Sequence, residues 1–550
     1  MANSTRGTRG MAVAPHSLAA QSALAVLRDG GNAVEAMIAA TATITVVYPH
    51  MNGIGGDSFW LVRSAKDGVS GIDASGAAAL NVSRANYAER ARAPDSSGTA
   101  PASTQFGAIP FRGPTAAITV AGTVSGWDAA HRASRERLGG KLPLSRLLED
   151  AIHYATHGIA VTASQHLNTT KKLAELQDVH GFANAFLIDG APPATGAVFK
   201  QPRLATTLKS LVGAGLGDYY TGVLARAIAH DLHNAGSPVT LADLQAHKAQ
   251  IRTPLQLAHS QGTLYNMPPP TQGLISLMIL GQLDRMGMGR YDHLSADFVH
   301  AAVEATKRAF RVRDQYITDP ATMMRNGAPD AQSFLDAAGL DAHAAAINMA
   351  QAAPWGAGRG PADTIWMGAI DGDGNACSII QSIYHEFGSG VVLGETGINW
   401  QNRGASFSLD PHHINTLEPG KKPFHTLNPA MALLNDGRVM VYGNMGGDGQ
   451  PQSQSAVFTR AAVMGLNPQD AVAAPRWLLG RTWGQTSDTL KLEGRFPAAT
   501  VAELKRRGHD VEIYPDYDET LGHAGCVIRH ANGNFEGGFD PRSDGGVAAW

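Results

Sequence analysis

The sequence contains few charged residues and little excess of either sign. Asp, Glu, Lys and Arg make up 17% of its 550 residues, and the formal net charge is -3. Nucleic-acid-binding domains usually carry a basic face and a pI above about 9, whereas the pI of this sequence is near 6.7. These values argue against a nucleic-acid partner.

Cysteine is also scarce. Two cysteines, Cys377 and Cys526, are too few for a disulfide framework or a cysteine-based zinc site. They favour a reducing compartment, and Cys377 lies in an apolar run where it reads as a small buried hydrophobe. The His412–His413 doublet has no carboxylates at ligand spacing, so neither a metal nor a cofactor is expected.

Long apolar runs are missing as well. The most apolar stretch, residues 36–47, is interrupted by three threonines and is too short to cross a bilayer. The N-terminal residues lack the apolar segment of a secretory signal. We therefore expect a cytoplasmic protein without a membrane partner.

What is present predicts a packed core of helices and hairpins. Apolar spacing predicts one helix capped by Ser17 and a second helix from Ala33 to Thr45 capped by Asn32. Paired strands are expected at 59–63 and 69–73, at 363–370 and 376–384, and at 431–434 and 439–442. The middle of the chain reads mainly as helices, including 142–155, 223–235 and 298–312, and helical spacing returns at 453–464. Hairpins interleaved with helices indicate an α+β layered sandwich.

The most informative position is Thr364, which follows a Gly/Pro-rich loop at 354–362 and begins a strand. The sequence has no P-loop, no nucleophile elbow and no zinc-protease helix motif. A threonine hydroxyl is a weak nucleophile without a base, and cleavage before Thr364 would supply one, a free α-amine with a pKa of about 8. On its residues alone, Thr364 is an ordinary strand threonine.

Ordered blocks over nearly the whole chain change that interpretation, because they resemble the γ-glutamyltranspeptidase family of N-terminal-nucleophile hydrolases. The blocks are LRDGGNAVEA (27–36), PHMNGIGGDSFWLV (49–62), DTIWMGAIDGDGNACSIIQSIYHEFGSG (363–390), GNMGGDGQPQSQ (443–454), NPQDAVAAPRW (467–477), GHAGCVIR and GGFDPRSDGG. The resemblance implies a four-layer αββα sandwich without cofactors, made by a precursor that cleaves itself between Asp363 and Thr364. Fragments 1–363 and 364–550 would remain together as a heterodimer with one interlocked core, and a dimer of such heterodimers is left open.

The resemblance also implies catalytic roles. Thr364 corresponds to the nucleophile, and Ser382 to the hydroxyl that supports it. Gly446 and Gly447 correspond to the glycine pair whose backbone N–H groups form the oxyanion hole. These residues argue against an unprocessed, inactive homologue.

The residues that hold a γ-glutamyl group in the family are changed here. Ser75 stands in place of an arginine that binds the α-carboxylate, and Ser406 in place of an aspartate that binds the α-amine. Tyr384 replaces an asparagine, while His425 and Thr426 replace a pair of serines. A substrate ammonium without a carboxylate partner binds poorly in a buried site. A glutamyl substrate is therefore disfavoured.

Arg403 is the residue gained, at a pocket position where transpeptidases carry a neutral side chain. Arginine suits bidentate recognition of a carboxylate. The sequence thus resembles the oxamate amidohydrolase branch, and we expect a small carboxylate-bearing amide such as oxamate to be hydrolysed to oxalate and ammonia. The alternatives are a γ-glutamyl hydrolase or transferase, and an acylase with a rebuilt pocket.

Overall fold

The computed structural model describes residues 3–88, 106–356, 363–481 and 487–550. Most of the Gly/Pro-rich loop predicted before Thr364, residues 357–362, lies outside this part of the chain.

Nineteen strands occur in the described residues. In chain order they are β1 (Thr5–Gly7), β2 (Gly10–Ala14), β3 (Asp57–Ser64), β4 (Gly68–Ala74), β5 (Ile159–Ala160), β6 (Val198–Phe199), β7 (Gln250–Arg252), β8 (Leu255–His259), β9 (Gly262–Asn266), β10 (Asp363–Asp371), β11 (Ala376–Tyr384), β12 (Ala430–Leu434), β13 (Val439–Asn444), β14 (Trp477–Leu479), β15 (Leu490–Glu493), β16 (Val511–Tyr514), β17 (Ala524–Arg529), β18 (Phe535–Phe539) and β19 (Gly546–Ala549).

Nineteen α-helices accompany them in the same residues. They are α1 (Ser17–Arg28), α2 (Ala33–Val47), α3 (Arg84–Ala88), α4 (Thr123–Arg137), α5 (Leu144–Leu147), α6 (Glu149–His157), α7 (Ala163–Leu176), α8 (Phe182–Phe186), α9 (Pro202–Ala214), α10 (Asp218–Thr221), α11 (Val223–Ala235), α12 (Leu241–Ala246), α13 (Gly273–Arg285), α14 (Ala296–Tyr316), α15 (Pro320–Arg325), α16 (Ala337–Ala345), α17 (Gly449–Phe458), α18 (Pro468–Ala473) and α19 (Ala498–Arg506).

Two seven-stranded antiparallel sheets form the centre of the fold. The first has the order β1-β18-β17-β13-β12-β9-β8, and the second β19-β2-β10-β11-β3-β4-β7. In both sheets, strands that precede residue 363 flank strands that follow it. Neither part of the chain on its own could therefore complete a sheet.

The sheets stack face to face and are covered by helices on their outer faces. Helices α1, α2 and α4 pack on the second sheet, and α13, α17 and α18 pack on the first. Between the sheets lies an apolar layer that includes Phe59, Trp366, Ile380, Met431 and Val441. This is the expected four-layer αββα sandwich, in which each sheet buries one face on helices and the other on its partner.

The hairpins predicted from the sequence are confirmed, and β11 has the predicted bounds. Asn32 caps α2 through a capping box with Glu35, but α1 differs from the prediction, because His16 caps it and Ser17 is its first residue. Helix α17 begins at Gly449, four residues before the predicted start. The helical interpretation of the middle region missed β7, β8 and β9, whose short alternating pattern lies between longer helical segments.

Both cysteines are buried and unpaired with each other, Cys377 in β11 and Cys526 in β17. Among the described residues, no helix has the length and apolar character needed to cross a membrane.

Candidate active site

The candidate site lies at one end of the layer between the two sheets. Side chains on a strand alternate between its faces. Ile380 on β11 and Trp366 on β10 both belong to the apolar layer. Ser382, two residues beyond Ile380 on β11, continues this face, and Thr364 lies two residues before Trp366 on β10; both side chains are fully buried. The interior therefore changes there from apolar packing to hydroxyl groups.

A β-bulge brings these two hydroxyls together. Asp363 lies opposite Tyr384, but Ile365 lies opposite Gln381, so the register shifts at Thr364. Bulges of this kind turn a side chain away from the regular ladder. Thr364 Oγ1 donates to Ser382 Oγ at 3.4 Å. The predicted nucleophile and its predicted supporting hydroxyl are thus in contact.

Two further groups orient the hydroxyls. The backbone N–H of Tyr384 donates to Ser382 Oγ at 2.8 Å. Gln450 Nε2, on the first turn of α17, lies 3.4 Å from Thr364 Oγ1 and donates to it. Gln450 Oε1 in turn accepts from Asn428 Nδ2 at 3.0 Å. The Thr364 hydroxyl therefore has a donor and an acceptor in defined positions.

Gly446 and Gly447 form the turn between β13 and α17. Their φ values of 114° and 52° lie in the left-handed region that favours glycine. The Gly447 carbonyl accepts from Gln272 Nε2 at 2.8 Å, which holds the turn in place. Within the described part of the chain, neither glycine N–H donates to a protein atom. Both are available to an oxyanion.

Arg403 is fully buried, and its guanidinium has no hydrogen-bond partner at Nε, Nη1 or Nη2 among the described residues. It lies over the ring of Tyr384, 4.0 Å from the ring centroid, an arrangement that favours a cation. Burial lowers the pKa of Arg403 to about 10. The side chain is therefore still charged at neutral pH, and its donors are unoccupied.

The segment that carries Arg403 is held against the end of β11. Asn402 accepts from the His385 N–H at 3.1 Å and donates to the Phe111 carbonyl at 2.9 Å. A side chain at Gly404 would come within 2.2 Å of an Ile118 carbon, so only glycine permits this approach. The position of the guanidinium thus follows from backbone packing.

Asp57 lies opposite Ser382 in the β3–β11 pair. Its Oδ2 lies 3.1 Å from His425 Nε2, and both side chains are fully buried. Its Oδ1 accepts the backbone N–H groups of Gly76 and Gly122, each at 3.0 Å. The carboxylate therefore has three hydrogen-bond partners, and it lies close to Arg403 without forming an ion pair with it.

The remaining predicted residues occupy different surroundings. Thr426 is buried next to His425, and its hydroxyl has no partner within the described chain. The Ser406 hydroxyl donates to the Arg403 carbonyl at 2.9 Å, so it contacts the backbone of that segment. The Ser75 hydroxyl donates to Asp73 at 2.6 Å, which commits it to a neighbouring carboxylate.

The interpretation of the sequence missed Asp57, Gln450 and Gln272. Asp57 carried a usable signal, since an acidic residue at the start of an apolar strand is rarely buried without a role. The two glutamines gave none, because an amide side chain in a helix (Gln450) or just before one (Gln272) has no chemical signature. Only their neighbours in space identify them.

A possible metal cluster occurs elsewhere, formed by His300, Glu304 and His509. His300 uses both ring nitrogens, one on His509 at 2.8 Å and one on the Asn348 carbonyl at 2.9 Å. Glu304 is paired with Lys307 at 2.7 Å. These groups satisfy one another, and the adjacent lysine disfavours a cation. The cluster reads as a hydrogen-bond network.

Comparisons with known proteins agree with this geometry. The chain is 55% identical to an oxamate amidohydrolase proenzyme of Klebsiella pneumoniae and 39% identical to the glutathione hydrolase-like YwrD proenzyme of Bacillus subtilis. The first match covers all of both proteins, and the second covers 99% of each. The crystal structure of cephalosporin acylase from Bacillus halodurans superposes with a TM-score of 0.87 at 31% identity, covering 100% of this chain and 97% of that one.

The family model described as gamma-glutamyltranspeptidase matches residues 19–550. The match includes every strand of the two sheets except β1 and β2, and every residue of the candidate site. The chain belongs to the γ-glutamyltranspeptidase family.

Proposed function

We propose that this chain is a self-processing amidohydrolase that cleaves its Asp363–Thr364 bond and then hydrolyses a small carboxylate-bearing amide such as oxamate. The observation that carries the proposal is the buried guanidinium of Arg403, which has no partner among the described residues. A buried charge without a partner is unfavourable by several kcal/mol, and a substrate carboxylate would satisfy it. The name of the Klebsiella pneumoniae relative, oxamate amidohydrolase proenzyme, supports the same substrate.

Processing would give fragments 1–363 and 364–550, which would stay together as a heterodimer. The support is the strand order, since both sheets combine strands from the two parts of the chain. Separating the fragments would expose the edges and faces of both sheets. We also propose a cytoplasmic enzyme, because both cysteines are free thiols.

After cleavage, the free α-amine of Thr364 would act as the base. It accepts the proton of Oγ1 as that oxygen attacks the amide carbon, and the carbonyl oxygen becomes an anion held by the N–H groups of Gly446 and Gly447. The carbon–nitrogen bond then breaks, and ammonia leaves with the proton from the α-ammonium. Water hydrolyses the ester by the same route, which releases the acid and restores Thr364.

Tyr384 links the two halves of the site. Its N–H donates to Ser382, which contacts Thr364, and its ring lies beneath Arg403. The nucleophile and the guanidinium are therefore both next to Tyr384, one through Ser382 and the other by direct contact. In oxamate the carboxylate is bonded directly to the amide carbon, so a substrate with adjacent groups suits a site in which these two residues share a neighbour.

A γ-glutamyl substrate brings an α-ammonium that needs a carboxylate. Asp57, the carboxylate whose charge acts on Arg403, already accepts from Gly76, Gly122 and His425. Most of its acceptor capacity is therefore already used. This favours oxamate over glutathione-type substrates.

The test is a substrate panel with purified protein. Intact-mass measurement should show two fragments in place of the 57.7 kDa chain, and ammonia release should be fastest with oxamate. Faster turnover of a γ-glutamyl anilide or of a large acyl amide would overturn the proposed specificity. A fully active uncleaved chain would overturn the mechanism, and an uncleaved inactive one would indicate a silent homologue.

A further inference from the structure

A buried acid–base pair lies beside Arg403, and the mechanism above does not use it. His425 Nε2 and Asp57 Oδ2 are 3.1 Å apart, and neither side chain has exposed surface. Since Nε2 faces a carboxylate it carries a proton, which leaves a lone pair on His425 Nδ1. That nitrogen is buried and has no hydrogen-bond partner among the described residues.

The Asp57 carboxylate is held away from direct contact with Arg403. Asp57 Oδ1 is held by the N–H groups of Gly76 and Gly122, and Oδ2 is held by His425. Asp57 therefore balances the charge of Arg403 from a distance while the guanidinium donors stay free. An aspartate in direct contact with Arg403 would compete with the substrate.

Counting charges shows what substrate binding changes. With the pocket empty, the positive charge of Arg403 is balanced by the negative charge of ionised Asp57. Lys422, which faces His425, is already paired with Asp73 at 2.9 Å. A bound substrate carboxylate adds one uncompensated negative charge to a buried site, which is unfavourable. The balance is restored if one proton enters with it.

We propose that the Asp57–His425 pair takes up one proton from solvent when the substrate carboxylate binds Arg403. This inference rests on the proposed function, because it assumes an anionic substrate at Arg403. The added proton resides on His425 Nδ1, and the proton between Nε2 and Oδ2 remains shared by the pair. Asp57 and His425 are positioning residues, since they act on binding through Arg403 and not on the reacting amide.

The titration of the pair is suited to this role. Burial raises the pKa of Asp57 to about 7, although Arg403 and the hydrogen bonds to Asp57 oppose the shift. Burial, with Arg403 and Lys422, holds the pKa of His425 well below its usual value. Tyr219, which also faces Asp57, has a pKa raised well above its ordinary value by burial and stays neutral. The pair as a unit therefore gains or loses its proton near neutral pH.

A bound anion raises the pKa of the Asp57–His425 pair, and this sets the direction in which substrate binding depends on pH. Below pH 7 the pair is already protonated, so binding requires little uptake. Above pH 7 each binding event consumes a proton, and the KM for oxamate should rise up to roughly tenfold per pH unit.

The decisive variant is Asp57→Asn in the cleaved enzyme. Asparagine can still accept from Gly76 and Gly122 and can donate to His425, but it cannot ionise. Its KM for oxamate should stay flat from pH 6 to 9, close to the wild-type value at low pH. Asp371→Asn is the matched control, because Asp371 is a buried carboxylate at the other end of β10 whose pKa burial also raises. It should retain the wild-type pH dependence.

Proton uptake can also be measured directly with oxalate as the probe, by calorimetry in two buffers of different ionisation enthalpy. Wild type should take up about one proton per site more at pH 8 than Asp57→Asn does. Equal uptake in the two proteins would assign the proton to the α-amine of Thr364 and overturn the inference. A KM for oxamate that rises with pH in Asp57→Asn as it does in wild type would also overturn it.

If Asp57→Asn is not recovered, the wild-type KM should rise with pH for oxamate but not for neutral ethyl oxamate. A flat KM profile with oxamate would overturn the inference. Failure of the proposed function looks different, because wild type would then not hydrolyse oxamate.

Discussion

Thr364 Oγ1 lies 3.4 Å from Ser382 Oγ across a β-bulge at the end of the β10–β11 pair. In a regular antiparallel pair, the strand geometry alone would set the distance between these two side chains. The bulge turns Thr364 out of that regular arrangement. Thr364 is also the residue that directly follows the proposed cleavage site. The same position can therefore serve self-processing and substrate turnover.

Removing the Thr364 hydroxyl should abolish both reactions. Thr364→Ala should remain a single chain and release no ammonia from oxamate, because one oxygen is the nucleophile in each step. Thr364→Ser, which keeps the hydroxyl, should still cleave. Thr43→Ala is the control, since Thr43 is a buried threonine on α2 bound to Ser22. Intact mass and ammonia release measure the two outcomes, and cleavage in Thr364→Ala would contradict the assignment.

Arg403 should determine recognition of the substrate carboxylate. Arg403→Ala should lower kcat/KM for oxamate by roughly 30-fold or more, as expected for one partner of a buried charge pair. Arg403→Lys should also lose much activity, because lysine lacks the planar two-donor fork. Self-cleavage should persist, because the scissile bond of the precursor has no need of a substrate carboxylate.

The matched control for Arg403 is Arg460→Lys, a change at another fully buried arginine that donates to the Pro475 carbonyl. It should leave kcat/KM for oxamate close to wild type. Turnover of neutral ethyl oxamate should be low in wild type and little changed in Arg403→Ala. Unchanged oxamate hydrolysis in Arg403→Ala would contradict the role of the guanidinium.

Gln450 should contribute to kcat by orienting Thr364. Gln450→Ala removes the donor to Thr364 Oγ1, and the loss of one hydrogen bond of about 1 to 1.5 kcal/mol predicts a kcat roughly tenfold lower with little change in KM. Gln452→Ala is the matched control, because Gln452 lies on the same helix as Gln450 and its amide donates to the carbonyls of Asp448 and Leu479. It should affect stability and not kcat. An equal loss of kcat in both variants would indicate a general effect on α17.

A buried network of ion pairs within residues 364–550 should stabilise the fold. Arg542 donates to both oxygens of Glu493, at 2.5 and 2.6 Å, and to Asp540 at 2.8 Å. Burial alone would raise the pKa of Asp540, but the charges of Arg476 and Arg542 outweigh it and hold this pKa well below its usual value. Arg542→Met removes the arginine that two buried carboxylates share, which among the described residues leaves Glu493 only Arg495 and Asp540 only Arg476 as ion-pair partners, and it should lower the free energy of unfolding by about 3 kcal/mol at pH 7.

The direction of the Asp540 pKa shift determines how the stabilisation by this network depends on pH. A carboxylate whose pKa is depressed in the folded state stabilises the fold above its unfolded pKa of about 4, and this contribution is lost as pH falls. Wild type should lose stability below pH 4, and Arg542→Met should lose less over that range. Arg506→Met, at an exposed ion pair with Glu503, should hardly change the thermal midpoint. A similar midpoint for both variants would contradict the argument.

Local patterns in the sequence were sufficient for much of the secondary structure. The turn at Asp371–Asn375, with its alternating flanks, predicts the β10–β11 hairpin, and the cap at Asn32 predicts the start of α2. These signals act over a few residues, where backbone geometry and side-chain hydrogen bonds decide the outcome. The predicted start of α17 was wrong because Gly449 and Gln450 carry no local helical signal. They become helical through the turn that precedes them.

By itself, the sequence determined the family and the layered fold, and it located the hydroxyl and glycine residues of the candidate site, since each of these residues lies in a contiguous motif. Only the tertiary structure decided the surroundings of Arg403. Its donors have no partner among the described residues, because Asp57 is held by His425, 368 positions away in the chain, and by backbone N–H groups from two other segments. No local pattern encodes such a pair, because its geometry depends on how β3, β11 and the residues before β12 pack at one end of the sandwich.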